Sequence, residues 1–198
     1  MANQTLIDYI IHGREERNLE YKESIDWNTF ENKERIIKAC LAMANLQDGG
    51  IIVLGMKEVS KDVWEPQGMT SDHFDTYSQD DVSEKVNEYA DPSIQIKLSK
   101  IQHDNKNFIV IEVAEFREIP IICRKTGTTL KKGGIYIRPK SKNESVIVPN
   151  ESELREILDK AVEIKLEKLR IRCSMIAETK EVDKLSKEKY NDEVKDLL

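Results

Sequence analysis

The sequence predicts an α+β fold in which helices pack on a β-sheet and a long helical segment follows at the C-terminal end. Three observations carry that expectation. Leu19-Glu20-Tyr21-Lys22 and Ile94 to Ile101 alternate apolar and polar side chains, the period of a half-buried strand. Ile51-Ile52-Val53-Leu54 is apolar on both faces, as a central strand covered on two sides must be. After Pro149 the chain has neither Gly nor Pro, so nothing local interrupts a helix.

Taken in order, Leu6, Ile7, Tyr9, Ile10 and Ile11 predict an opening helix running into the charged turn Arg14 to Arg17. The alternating Leu19 to Lys22 places Glu20 and Lys22 on one strand face. From Phe30 to Asn45, apolar residues at Ile36, Ile37, Cys40, Leu41 and Ala44 follow the helical template, and Gly49-Gly50 ends it. Lys61 to Thr70 reads as a loop or edge hairpin. Gln79 to Tyr89 reads as a helix closed by Asp91-Pro92. Ile94 to Ile101 and Phe108 to Val113 flank His103-Asp104-Asn105-Lys106 as a hairpin. Pro120 to Cys123 and Gly134 to Arg138 are shorter strand candidates. Asn150 to Glu153 outlines a capping box for one long helix, or two with a break near Thr179. Its stripe Leu158, Val162, Leu166, Leu169, Cys173 and Ile176 suits docking on the domain or pairing with a second chain. The expected division is a domain over residues 1–150 and a helical extension over 151–198.

Composition narrows the function. No apolar run approaches the ~20 residues of a membrane span, and the first residues lack a secretory pattern, leaving the cytoplasm as the expected compartment and no membrane partner. Three separated cysteines with no CxxC pair exclude a zinc site and a disulfide framework as readings. Gly49-Gly50 and Gly55 flank a strand, and no GxxxxGK precedes a Ser or Thr, so no ATP site is expected.

Two constellations remain. Glu15, Glu16, Glu20 and Glu58 could share a rim and hold a hard cation, although spacing alone favours a solvated acidic face in a chain with 37 acidic residues. Arg117 to Lys142 carries a local balance of +7 in a chain whose net charge is −6, leaving −13 elsewhere. Such segregation marks a phosphate-binding surface, with Tyr136 available to stack, or else balances the acidic remainder internally. His12, His73 and His103 are scattered and read as ordinary surface or turn residues, and Trp27 and Trp64 as packing under loops.

The ordered set Leu19-Glu20-Tyr21-Lys22-Glu23-Ser24, then Lys38-Ala39-Cys40-Leu41-Ala42-Met43-Ala44-Asn45, then Gly49-Gly50-Ile51-Ile52-Val53-Leu54-Gly55 resembles the Schlafen-type Alba-like domain, formerly labelled divergent AAA. Ile111-Glu112-Val113, Ile119-Pro120 and Gly134-Ile135-Tyr136-Ile137-Arg138 with Ser141 resemble its later strand, proline step and Y-x-R-x-x-S ending. The resemblance implies a mixed sheet, a nucleic-acid-handling role and, as in some members, an endoribonuclease centre of three carboxylates. Carried over, these are Glu15, Glu20 and Glu58, as catalytic residues and as ligands of Mg²⁺ or Mn²⁺. Glu58 stands where an aspartate is common. The expected RNA or DNA surface comprises Lys22, Arg124, Lys125, Lys131, Lys132, Tyr136, Arg138, Lys140 and Lys142.

Three functions follow as expectations. The first is a metal-dependent endoribonuclease, in which the ions activate water. The second is a non-catalytic DNA-binding or sensor module of a transcriptional regulator using the same basic surface. The third is an oligomerising protein-interaction scaffold. A homodimer formed through the C-terminal helical segment would supply the second lobe that nuclease members of the family often have.

Overall fold

The computed structural model describes residues 2–195. They form α1 (Ala2–His12), β1 (Leu19–Lys22), α2 (Phe30–Ala44), β2 (Gly50–Leu54), β3 (Met56–Ser60), β4 (Val63–Pro66), α3 (Ser71–Phe74), α4 (Gln79–Asn87), β5 (Ala90–Asp91), β6 (Ile96–His103), β7 (Lys106–Val113), β8 (Ile122–Cys123), β9 (Tyr136–Ile137), β10 (Val146–Ile147) and α5 (Glu151–Lys195). The chain divides into a first unit ending at Leu158 and a second beginning at Asp159.

The central sheet has the order β1-β2-β7-β6. β1 runs parallel to β2, with Leu19 opposite Ile51, whereas β2–β7 and β7–β6 are antiparallel, so the sheet is mixed. A parallel neighbour requires a crossover, and α2 supplies it. The β6–β7 hairpin turns at Asp104 and Asn105, both left-handed with φ of 49° and 58°, the conformation of a two-residue primed turn. Pro120–Cys123 and Gly134–Arg138 contribute only short ladders: β8 pairs with β5, and β9 with β10.

Strand alternation sorts the core into two layers. Leu19, Tyr21, Val53, Phe108 and Val110 cluster with Leu6 and Ile10 of α1. The alternate positions Ile52, Leu54, Ile109 and Ile111 are equally buried on the α2 side, as are Ile36, Ile37, Cys40, Leu41 and Ala44 of α2 itself. Burying each such aliphatic side chain contributes about 1.5–3 kcal/mol.

Both ends of α2 are tied by side chains. Asp26 accepts from the backbone of Asn28 and Thr29 and from Asn32 Nδ2, and these bonds hold its carboxyl down at about 2. At the other end buried Asn45 donates to the carbonyls of Ile121 and Tyr136, each at 2.9 Å, and accepts from Ile121 N at 2.8 Å. The asparagine after the Ala-rich turn therefore pins the β8–β9 region to α2. Gly49, at φ 71°, has no room for a side chain, because a Cβ would collide with the Val113 carbonyl.

α5 is one helix, without a break at Thr179. Asn150 Oδ1 caps it by accepting from Glu153 N at 2.9 Å. In the second unit Val162, Leu166, Leu169, Ile171 and Ile176 are exposed. Among the described residues no helix is long and apolar enough to cross a membrane.

Candidate functional site

β1 presents Glu20 and Lys22 on one face, and the chain from Arg138 to Ser145 covers them. Glu20 is 8% exposed and Arg138 is 0% exposed. Each carboxylate oxygen of Glu20 has its own cation: Oε1 lies 2.5 Å from Lys22 Nζ, and Oε2 lies 2.5 Å from Arg138 Nη1 with Ser145 Oγ at 3.4 Å. Glu15 joins from the preceding turn, its Oε1 accepting from Tyr21 N at 2.9 Å and its Oε2 lying 3.6 Å from Arg138 Nη2. Arg138 Nη2 also donates to the Glu16 carbonyl, while Arg17 Nε donates to the Arg138 carbonyl.

The two acids respond in opposite ways. Burial pushes the Glu20 carboxyl up, but Lys22 and Arg138 overcome it and leave the group below the ordinary carboxylate value. For Glu15 burial prevails over the Tyr21 N–H and Arg138, and the carboxyl is raised.

The expected three-carboxylate centre does not assemble. Glu58 is exposed on β3 and accepts from Asp62 N at 3.3 Å. Gly55, at φ 102°, joins β2 to the β3–β4 hairpin, which forms a two-stranded sheet of its own. Among the described residues no group of three or more His, Cys, Asp or Glu side chains is arranged to hold a metal ion. Both Glu20 oxygens are matched by cations of the chain itself.

The cationic strip also divides. Arg138, expected at a nucleic-acid surface, is internal, and Tyr136, expected to stack on a base, is 1% exposed with its hydroxyl held between Thr129 O and Lys131 N. A strand that continues the core has no surface to offer. Lys22 is bound to Glu20. Lys140 pairs with Glu156 at 2.9 Å, Lys125 pairs with Glu88 at 2.8 Å, and Arg124 Nε donates to the Glu88 carbonyl. Lys131, Lys132 and Lys142 are exposed, and among the described residues their side chains make no ion pair or hydrogen bond.

The backbone at Thr128 and Thr129 closes over a further acid, one that neither charge constellation in the sequence includes. Glu34 of α2 is fully buried, and its carboxylate accepts from Thr128 N at 2.6 Å, Thr129 N at 2.7 Å and Thr129 Oγ1 at 2.9 Å. Its signal was available in the sequence. Glu34 stands three before Ile37 and seven before Leu41, a charged residue on the apolar stripe of its own helix.

A family model described as Schlafen, AlbA_2 matches residues 15–147, more than half of the chain. The chain belongs to the Schlafen, AlbA_2 family. No curated protein matches this AlbA_2 chain. Among solved structures it is similar to the DIP2311 protein from Corynebacterium diphtheriae, at 14% identity and a TM-score of 0.46, over 74% of this chain and 26% of that one. It is also similar to the N-terminal domain of a RecG-related protein from Nitrosomonas europaea, at 21% identity and a TM-score of 0.45, over 74% of this chain and 94% of that one. The motifs of this AlbA_2 domain now have physical roles: Glu20 and Arg138 neutralise each other, Asn45 ties down the chain at Ile121 and Tyr136, and Gly49 lets the backbone pass Val113.

Proposed function

We propose that this AlbA_2 domain binds nucleic acid without cleaving it, gripping backbone phosphates through Lys131, Lys132 and Lys142. The observation that supports the reading is the exposure of these lysines without an acidic partner among the described residues, in a chain whose net charge is −6. Cations left unmatched in an acidic molecule make a local attractor for a polyanion, and phosphate contacts bring affinity without base preference. Neutralisation of Glu20 by Lys22 and Arg138 favours binding over the nuclease alternative.

The test incubates the protein with a labelled RNA hairpin, single-stranded DNA and duplex DNA, in Mn²⁺ or EDTA. Intact substrate and salt-sensitive retention are expected. Replacing Lys131 and Lys132 together by Ala weakens retention and makes the plot of log affinity against log salt shallower by about 0.7–0.9 per lost phosphate contact. Mn²⁺-dependent cleavage that Glu20→Gln abolishes overturns the reading.

A further inference from the structure

We infer that Glu34, a buried acid, is the positioning residue of the nucleic-acid-binding loop, holding residues 124–133 so that Lys131 and Lys132 face solvent in a fixed arrangement. The inference rests on the nucleic-acid reading above. The loop has little regular structure, yet it is anchored along its length. Two successive backbone amides and one hydroxyl converge on the Glu34 carboxylate. Gly127 N donates to Leu130 O at 2.9 Å, closing the turn, and Leu130 is buried. The Tyr136 hydroxyl receives Lys131 N at 2.9 Å, immediately after the carboxylate anchor.

Gly127 supplies independent support. A Cβ at this position would collide with Glu34 Oε1, so the loop can close over the carboxylate only because residue 127 has no side chain. The base of the anchor is rigid as well, since Glu34 lies one turn before the α2 stripe buried against the sheet. Ordering a loop at the moment of binding costs free energy, and a loop already ordered avoids that cost.

The sign of one substitution decides the matter. By Coulomb's law alone, removing a negative charge beneath a cationic loop strengthens its hold on a polyanion. Positioning requires the reverse. Glu34→Gln replaces one acceptor oxygen by an amide nitrogen, which cannot accept from whichever of the Thr128 and Thr129 N–H groups it faces.

The experiment measures the Kd of the labelled RNA hairpin for the whole chain and for Glu34→Gln, Gly127→Ala, the Lys131→Ala/Lys132→Ala pair, and that pair combined with Glu34→Gln. Affinity is expected to fall about three- to tenfold in both Glu34→Gln and Gly127→Ala through lost preorganisation. Adding Glu34→Gln to the lysine-free background should cost little more, because the residue acts through those lysines. Unchanged or tighter binding by Glu34→Gln, with the lysine pair still required, overturns the inference and leaves the nucleic-acid reading intact. An equal further loss in the lysine-free background also overturns it, by marking a general structural role. If the lysine pair itself makes no difference, the nucleic-acid reading fails. Should either variant lose the native circular dichroism spectrum, Thr129→Val removes one bond alone; a smaller loss of the same sign supports positioning, and no loss refutes it.

Discussion

Two stretches of one cationic segment meet opposite fates. Around Arg138 the charge turns inward: the guanidinium is fully buried and matched by Glu20 and Glu15. At Lys131 and Lys132 it turns outward and is met by no acid among the described residues, although the same loop closes over a buried acid, Glu34, at Thr128 and Thr129. The two acids differ in what satisfies them. Glu20 takes its partners from side-chain cations and so consumes the charge of the segment that covers it. Glu34 takes its partners from backbone amides and a hydroxyl, which leaves the loop's lysines available to a ligand. A buried carboxylate can therefore either hide a basic segment or display one, depending on whether charge or peptide dipoles answer it.

The largest effect expected from breaking this contrast is at Arg138. Arg138→Met leaves Glu20 and Glu15 buried with Lys22 as their remaining close cation, and should cost about 3–5 kcal/mol in urea unfolding. Adding Glu20→Gln should recover part of that loss. Stability equal to the parent chain would show that the cluster does not hold the 138–145 stretch in place.

A smaller effect is expected from pH. Folded Glu20 titrates below its ordinary value of 4.5, so the unfolded chain binds more protons in that window. Its stabilising contribution is complete above 4.5 and is lost as pH falls through the lowered folded value. Glu15 has the opposite sign: its raised carboxyl lowers stability as pH climbs from 4.5 through the folded value. Urea midpoints measured from acid to neutral pH should show a flatter acid limb for Glu20→Gln than for the parent chain. An unchanged limb would assign the acid sensitivity to other carboxylates, such as Asp26.

The smallest effect belongs to Lys140, whose side chain is 67% exposed in its pair with Glu156. Lys140→Ala should change stability by less than about 1 kcal/mol, the range of solvent-screened pairs. A thermal-unfolding loss several times larger would place Lys140 with Arg138 as part of the buried system.

Much of this domain was legible in the chain. The stripe Ile36, Ile37, Cys40, Leu41 and Ala44 announced α2, the doubly apolar Ile51 to Leu54 announced the central strand, and Asp104-Asn105 announced the β6–β7 turn. Each is a local regularity of spacing or a backbone preference, present before any distant contact forms. The candidate site was legible only in its residue types. Glu15, Glu20, Arg138 and the lysines all carried charge that drew notice, but their partners could not be read from it.

Residue order alone therefore determined the main helices and strands, the two-faced burial of the central strand and the segregation of charge along the chain. Tertiary structure decided which charges would cancel. Glu20 and Arg138 are 118 positions apart, and Glu34 is 94 from Thr128, so their pairing depends on how β1, α2 and the later loops pack. Burial made those pairings obligatory, since an unmatched ion away from water costs more than the fold can supply, whereas the exposed lysines were under no such demand.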